Sequence, residues 1–370
     1  MGPISRILVT RCVLDGETRR NGWARASPGD ATMGKIRPIM VKGHERPLTM
    51  VKYNREGDLL FTCAKDHTPC VFYSDNGERI GTYKGHCGTV WCIDINFSCD
   101  KLLTGSADNS VKLWEVQTGE CLHTWKHTGS VRDVGFAMGD KEFLSVLDNI
   151  MGNVPTIFVW DLELHNLANH PDCPKTTILG HKSKIIRALW GPLNKHIYAA
   201  GDDAVIRLWD PKTEKLHLSS ELVHGKRITD MQFSEDKCLL VTSCADHWVR
   251  LFDARTLQLL KAFNTERNIN SAAISPRSDC PYVIAGGGQD AMAVTTTSSK
   301  QGKFEISFYD HCFGDELGSI GGHFGPVNTI SFSPDGRSFA SGGEDGYVRI
   351  NHLDQAYFEA HKLKVEEAKA

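Results

Sequence analysis

Short runs that alternate hydrophobic and polar residues recur along the chain, and turn-forming residues separate them. Residues 90–126 show the pattern clearly, with the runs VWCIDI, KLLTGSA, VKLWEV and CLHTWK. Turn signals at residues 98–100, 108–109 and 118–119 divide these runs from one another. Alternation with a period of two residues is typical of short β-strands joined by tight turns. This stretch therefore predicts four consecutive β-strands.

The same unit repeats along the chain. Gly-His dipeptides occur at residues 43–44, 85–86, 180–181 and 322–323, and each precedes an apolar residue four positions after the His. Further along each unit comes a turn of small residues with an Asp, and then a strand that commonly ends in an aromatic residue. Alignment on the His position gives intervals of 42, 41, 54, 43, 41 and 58 residues. The aligned residues of the seven units are His44, His86, His127, His181, His224, Thr265 and His323.

Most of these intervals match the WD-repeat period of about 40–45 residues. The two longer intervals contain insertions at residues 148–156, 165–175 and 295–303. One four-stranded unit cannot bury both of its faces, so such units become stable when they close into a ring. Residues 36–42 look like the strand before each Gly-His but have no unit of their own. We predict an all-β, seven-bladed WD40 β-propeller over residues 33–354, in which this N-terminal strand completes the last blade and closes the ring.

The two ends of the chain differ from the repeats. Residues 1–32 contain five Arg and no sustained hydrophobic period, and they end in a segment rich in Gly, Ser and Pro. We predict that they form a disordered N-terminal extension. Residues 355–370 contain helix-forming residues and are predicted to form a short C-terminal tail, either helical or frayed.

The repeated polar residues predict a buried hydrogen-bond chain within each blade. It runs through the imidazole of the Gly-His, a hydroxyl of the second strand, the Asp of the turn and the Trp of the third strand. Although His, Asp and a hydroxyl also make up a catalytic triad, this set recurs from blade to blade beside Trp, which favours a structural role. The second blade has the full set of His86, Thr104, Asp108 and Trp114; the fourth has His181, Asp203 and Trp209, the fifth His224, Thr242 and Asp246, and the seventh His323, Ser341 and Asp345.

Composition and motifs argue against several other functions. Lys and Arg number 42 against 45 Asp and Glu, a balance that disfavours a strongly basic nucleic-acid-binding protein. The 12 cysteines include no C-x-x-C pair, and the histidines show no metal-ligand spacing. The run GGGQDA at residues 286–291 lacks the order of a phosphate-binding loop. We therefore predict no catalytic residue, no metal or cofactor, no small-molecule substrate and no membrane span.

The most plausible functional surface is the rim at the start of the inner strands, where WD propellers commonly bind partners. An exposed Trp and Ile among Arg and Lys suit an interface hot spot. Two alternatives stay open, namely that Trp91 packs under a neighbouring loop and that Asp230 is a solvated strand end. The candidate partner-binding residues are Trp91, Arg132, Lys184, Ile186, Arg227 and Asp230.

Several runs carry a more specific resemblance. They include GHERPLTMVKYNREGDLLFTCAKD at residues 43–66, GGGQDAMAVTTTSSKQGKFE at residues 286–305 and GHFGPVNTISFSPDGRSFASGGEDGYVRI at residues 322–350. These runs resemble the WD-repeat i subunit of eukaryotic translation initiation factor three, and the similarity covers about residues 33–359. Residues 1–32 have no counterpart in that family.

The resemblance implies a cytoplasmic, non-catalytic scaffold subunit of the factor that joins the small ribosomal subunit and supports assembly of the preinitiation complex. In that family the propeller docks a helical tail of the b subunit and contacts the g subunit, while the small ribosomal subunit and mRNA are reached through the complex.

Two other functions are compatible with a propeller. A signalling adaptor that binds a receptor kinase or another complex is the first of them. A G-protein β subunit would begin with a coiled-coil helix, which Pro3, Gly16 and Pro28 disfavour. The second is an enzyme, which would require ionisable groups converging in a polar funnel.

Overall fold

A computed structural model describes residues 38–148, 152, 154–162, 173–220, 224–288, 304–355 and 357–359. Within these residues the chain forms 28 β-strands, and every sheet has four antiparallel strands. The predicted all-β fold with seven blades is confirmed. The predicted extension at residues 1–32 lies outside the described residues, as does most of the predicted tail. Of that tail, Gln355 and residues 357–359 have helical backbone geometry.

The first four blades follow one another along the chain. In each, the strands run from the inner to the outer edge of the blade in sequence order. A short 3-10 helix, Pro192–Asn194, follows the inner strand of the fourth blade. The strands are β2 (Leu48–Tyr53), β3 (Leu59–Ala64), β4 (Cys70–Tyr73) and β5 (Arg79–Thr82); β6 (Val90–Ile95), β7 (Lys101–Ser106), β8 (Ser110–Glu115) and β9 (Cys121–Lys126); β10 (Val131–Phe136), β11 (Glu142–Leu147), β12 (Thr156–Asp161) and β13 (Thr176–Ile178); and β14 (Ile185–Trp190), β15 (Ile197–Gly201), β16 (Arg207–Trp209) and β17 (Leu216–Ser219).

The last three blades complete the ring. The outer strand of the seventh blade is β1 (Ile39–Lys42), which pairs with β28 in the register Ile39 to Ile350, as predicted from the unpaired N-terminal strand. The other strands are β18 (Ile228–Phe233), β19 (Leu239–Cys244), β20 (Trp248–Asp253) and β21 (Leu259–Asn264); β22 (Ile269–Ile274), β23 (Tyr282–Gly287), β24 (Glu305–Asp310) and β25 (Glu316–Gly321); and β26 (Val327–Phe332), β27 (Ser338–Gly343) and β28 (Tyr347–His352).

The hydrophobic core lies between the blades. Val41 and Ile350 of the seventh blade, for example, form one buried cluster with Leu60 and Phe72 of the first. The inner strands of successive blades also contact one another, and β26 contacts β2, so the ring is closed at its centre as well as at its edge. The repeat pattern predicts this arrangement because each blade buries its faces against two neighbours. Within the described ranges, no helix is long and apolar enough to cross a lipid bilayer.

Candidate protein-binding site at the mouth of the ring

Every inner strand carries an irregularity just after its first residue. The pairing with the second strand skips one position there, which is the geometry of a β-bulge. The skipped residue therefore has no partner in the cross-strand ladder. The seven skipped residues, one from each blade, line a single central depression of about 340 Å³, and they are Thr49, Trp91, Arg132, Ile186, Thr229, Asn270 and Asn328. We call this depression the mouth.

The mouth contains all six residues that the sequence predicts for partner binding. Trp91, Arg132 and Ile186 are bulge residues, while the others come from the strand starts and the turns around them. The sequence analysis did not single out Arg187 or Glu344, which also line the mouth. In the sequence, each bulge residue lies five positions after the aligned residue of its repeat.

Trp91 and Arg132 form the most distinctive contact of the mouth. The guanidinium carbon of Arg132 lies 4.2 Å from the centroid of the Trp91 ring, within the range of a cation–π contact. Arg132 Nε also donates to the fully buried carboxylate of Asp148 at 2.5 Å, and Lys184 Nζ lies 3.4 Å from the same carboxylate. Trp91 is half-buried, and its buried Nε1–H has no hydrogen-bond partner among the described residues. The Trp91 ring therefore packs against the Arg132 guanidinium at the mouth.

Asp230 is a predicted partner-binding residue, and its burial excludes the alternative of a solvated strand end. Its carboxylate is buried, accepts a hydrogen bond from Arg187 Nε at 2.8 Å and accepts another from the Ser271 hydroxyl at 2.5 Å. Arg187 also contacts the buried Asp133 at 3.2 Å. Burial raises the pKa of the Asp133 carboxyl to about 6, although Arg187 opposes that change. Asp230 thus belongs to a buried ion cluster in the wall of the mouth. Its partners Arg187 and Ser271 come from the fourth and sixth blades.

The second blade contains the complete predicted hydrogen-bond chain. His86 Nδ1 lies 2.8 Å from Asp108, His86 Nε2 lies 2.7 Å from the Thr104 hydroxyl, and Trp114 Nε1 donates to that hydroxyl at 2.8 Å. Burial alone would raise the pKa of Asp108, but hydrogen bonds from His86 and Ser110 hold it well below its ordinary value.

The first and third blades, for which no hydrogen-bond chain was predicted, contain related sets of side chains. In the first blade, His44 lies 2.8 Å from Asp66 and 2.7 Å from Thr62. Burial alone would lower the pKa of His44, but hydrogen bonds and charge interactions with Asp66 and Cys70 together raise it to about 9. The third blade has a His, a Ser and a Trp but no Asp among the described residues of the set, and burial lowers the pKa of its His127 to about 4. That set is His127, Ser145 and Trp160, with both rings 2.9 Å from the Ser hydroxyl.

The fourth blade does not form the predicted chain. Its Asp203 pairs instead with Arg207 at 2.5 Å, and Ala199 supplies no hydroxyl to bridge the rings. As a result, His181 Nε2 and Trp209 Nε1 are buried and find no hydrogen-bond partner in the part of the chain that the structure describes. Burial and the nearby guanidinium of Arg207 lower the pKa of His181 to about 4.

The fifth and seventh blades also contain an Arg at the same place on the third strand. Arg250 lies 2.8 Å from His224 Nδ1 and 2.9 Å from Asp246, while Thr242 remains 3.1 Å from His224 Nε2. Burial and Arg250 lower the pKa of His224 to about 4. The matching contacts of the seventh blade join His323 to Ser341 at 2.8 Å and to Asp345 at 3.2 Å, with Arg349 bonded to both His323 and Asp345. Sequence analysis missed these arginines, although the runs IRLW, VRLF and VRIN contain them.

One group in the described residues has the donor types of a metal site. Ligand atoms of His224, Cys244 and Asp246 all lie within 4.8 Å of one another. However, the Arg250 guanidinium already donates to both His224 and Asp246. Because this fixed positive charge occupies the space between the donors, it repels a metal cation. These side chains therefore form part of a salt bridge between neighbouring segments of the blade and do not fit a metal centre.

Comparison with known proteins gives a consistent result. A family model described as EIF3I matches residues 36–362. Eukaryotic translation initiation factor 3 subunit I of Bombyx mori is 44% identical over 325 residues, which is 88% of this chain and 98% of the relative. The subunit I proteins of Drosophila melanogaster and Aspergillus terreus are each 44% identical over 88% of this chain, covering 99% and 96% of their own lengths.

Proposed function

Since this chain belongs to the family of eukaryotic translation initiation factor 3 subunit I, we propose that it is the non-catalytic scaffold of that factor which docks the helical tails of the b and g subunits. Through those subunits it supports the preinitiation complex on the small ribosomal subunit, and it contacts mRNA indirectly. Because translation initiation takes place in the cytoplasm, we place the protein there.

The contact between Trp91 and Arg132 is the main support for placing the docking site in the mouth. An aromatic ring and a guanidinium at the centre of a concave, half-buried surface are the side chains that most often dominate protein interfaces. Since the ring of blades is already ordered, the entropy of ordering falls mainly on the partner's tail.

The charges of the mouth also favour recognition over catalysis. Lys65 pairs with Glu344, and Arg187 pairs with Asp230. Arg132 and Lys184 share Asp148. Groups that neutralise one another in this way are suited to complementary contact with a protein surface, whereas general acid–base catalysis needs a group poised to exchange protons with a substrate.

The proposal is tested by purifying the tagged full-length chain from cytoplasmic extract and identifying the bound proteins by mass spectrometry. We expect the b and g subunits in near-equal amounts, and at least tenfold weaker recovery with Trp91→Ala or Arg132→Ala, as for interface hot spots. Lys212→Ala, on an exposed turn remote from the mouth, is the matched control. Recovery of a receptor kinase or another complex in place of b and g would contradict the proposal.

A further inference from the structure

The sixth blade differs from its two neighbours at the position of the aligned histidine. Thr265 stands where the fifth and seventh blades have His224 and His323. The Thr265 hydroxyl lies 2.7 Å from the carbonyl oxygen of His247 and 2.8 Å from that of Arg267, so it is bonded to the backbone of the surrounding loops. The smaller threonine therefore leaves space where the neighbouring blades hold an imidazole.

The sixth blade also has no arginine where its neighbours have one. In the fifth blade, Arg250 lies opposite Thr242 in the strand pairing, and Arg349 has the same place in the seventh blade. The corresponding pair in the sixth blade is Ser307 and Ala285. Because a serine side chain is much shorter than an arginine side chain, it does not reach the place that a guanidinium group fills in the neighbouring blades.

A depression of about 140 Å³ lies at this place in the sixth blade. Thr265, Ala285 and Ser307 all line it. Tyr309 lines it as well, and this residue is only 4% exposed because its ring packs 5.2 Å from that of Phe263. A space of roughly 150 Å³ holds a group as large as benzene. The depression is therefore large enough for the end of one side chain and too small for a nucleotide.

The lining of this depression is acidic. Glu266, Glu305 and Glu316 belong to it, and Arg267 is the only basic residue among its described lining residues. The Ser319 hydroxyl donates to Glu305 Oε2 at 2.7 Å and so helps to fix that carboxylate. Within the described ranges, Glu316 has no ion-pair partner. The surplus of negative charge favours a positively charged ligand.

The spacing of the acceptors favours an organic cation over a metal ion. Among the described residues, His224, Cys244 and Asp246 are the only candidate ligands that lie within 4.8 Å of one another, so the carboxylates of the depression are too far apart to share a metal. A guanidinium group spreads five N–H donors over one plane and can reach separated acceptors, whereas an ammonium group is a compact point charge. The buried Tyr309 ring offers an aromatic surface that a guanidinium can also contact.

From these features we infer that the depression binds the arginine side chain of a protein partner. The neighbouring blades show that a guanidinium suits this place, since Arg250 donates to Asp246 at 3.1 Å and Arg349 donates to Asp345 at 2.9 Å. In the sixth blade the partner's guanidinium takes that place and donates to the glutamates of the lining. The depression shares no lining residue with the mouth, so the inference does not depend on the proposed function.

The first test measures binding of arginine within a short peptide to the full chain. Acetyl-Gly-Arg-Gly-amide is compared with the same peptide containing lysine or citrulline, by titration in ligand-observed NMR. Citrulline has the shape of arginine without its charge. We expect the arginine peptide to bind more tightly than the lysine peptide and roughly tenfold more tightly than the citrulline peptide. No binding of the arginine peptide, or equal binding of all three peptides, would overturn the inference.

Two variants show whether the peptide occupies the depression. Ser307→Arg gives the sixth blade the guanidinium that its neighbours have, so thermal stability should be kept while peptide affinity falls roughly tenfold. Glu316→Gln removes an exposed charge and should weaken binding in a way that added salt reduces. Glu120→Gln, at an exposed acid beside the outer strand of the second blade, is the matched control and should bind like the wild type.

The two variants also decide against the inference if their results differ from these. Folded Ser307→Arg and Glu316→Gln proteins that bind the arginine peptide as tightly as the wild type would show that it binds elsewhere. If Ser307→Arg does not fold, unchanged binding by Glu316→Gln is sufficient to overturn the inference. Recovery of the b and g subunits is a separate measurement, so the proposed function and this inference can fail independently.

The second test identifies the source of the arginine. A photo-crosslinking amino acid replaces Asn264, an exposed residue that lines the depression, in the full chain in cells. We expect a crosslink to a protein segment that contains an arginine, and we expect substitution of that arginine by glutamine to abolish the crosslink. A crosslink that persists after the substitution would overturn the inference. The absence of any crosslinked protein would overturn it as well, because a free small molecule would then be the source of the guanidinium.

Discussion

The guanidinium group of Arg187 in the fourth blade lies 2.8 Å from the carboxylate of Asp230 in the fifth. It also lies 3.2 Å from Asp133 in the third blade, and all three side chains are largely buried. One positive charge therefore joins three consecutive blades at the wall of the mouth. Burying an ion pair costs desolvation energy. Removing only one partner therefore destabilises the fold more than replacing both partners, because the remaining charge stays buried without a counter-ion.

Substitution of this arginine tests that asymmetry. Arg187→Met should lower the free energy of unfolding by roughly 3–5 kcal/mol, since it leaves two buried carboxylates without a counter-ion. Urea denaturation followed by circular dichroism measures the change. The triple variant with Asp133→Asn and Asp230→Asn should recover much of the loss. Arg227→Met, at an exposed residue of the same mouth, is the control and should change stability by less than about 0.5 kcal/mol.

The tryptophans of the second and fourth blades form a matched pair. Trp114 Nε1 donates to Thr104, whereas Trp209 Nε1 has no partner. Substitution to Phe removes a similar volume at both sites but breaks a hydrogen bond at one. Trp114→Phe should therefore cost about 1 kcal/mol more than Trp209→Phe. Equal losses in thermal denaturation would show that the hydrogen bond contributes little to stability.

The histidines of the fourth and fifth blades predict instability in acid. Burial and neighbouring arginines lower the pKa values of His181 and His224 to about 4 in the folded chain. Since an unfolded His has a pKa of about 6.5, protonation favours the unfolded state. Stability is complete above pH 6.5 and falls between pH 6.5 and 4, by up to about 3 kcal/mol for each group. His181→Gln should flatten that decline in urea unfolding at pH 7.5 and 5, whereas exposed His352→Gln should leave it unchanged.

The first blade predicts the opposite dependence. Burial alone would lower the pKa of His44, but the hydrogen bonds and charges of Asp66 and Cys70 together raise it to about 9. Its contribution is fully present below pH 6.5 and is lost as the pH rises through 9. His44→Asn should therefore destabilise the chain most near pH 6, and the difference from the wild type should shrink toward pH 10. A constant difference across that range would mean that His44 is neutral in the folded state.

Sequence periodicity predicted the architecture because the fold repeats one local unit. The aligned histidines mark each blade, and the unpaired run at residues 36–42 indicated how the ring closes. The residue types alone did not predict which polar side chains bond to each other within a blade. Asp203 is where the pattern expects a His-bonding carboxylate, yet Arg207 is closer to it and carries a full charge.

The mouth was predicted in part. Counting from each aligned His placed Trp91 and Arg132 near the rim, and both lie there. The same count could not show that Asp230 is covered, because its partners Arg187 and Ser271 come from other blades and meet only in three dimensions.

The pairing of Ile39 with Ile350 has a consequence for synthesis on the ribosome. Strand β1 is among the first segments of the described chain to be translated, but its partner β28 is made about 300 residues later. Closing so long a loop is slow and entropically costly, so the seventh blade is the last to assemble. Until β28 has been made, the growing chain is an open arc with two unpaired edges. Surfaces that depend on the closed circle, such as the mouth, form only after that strand has paired with β1.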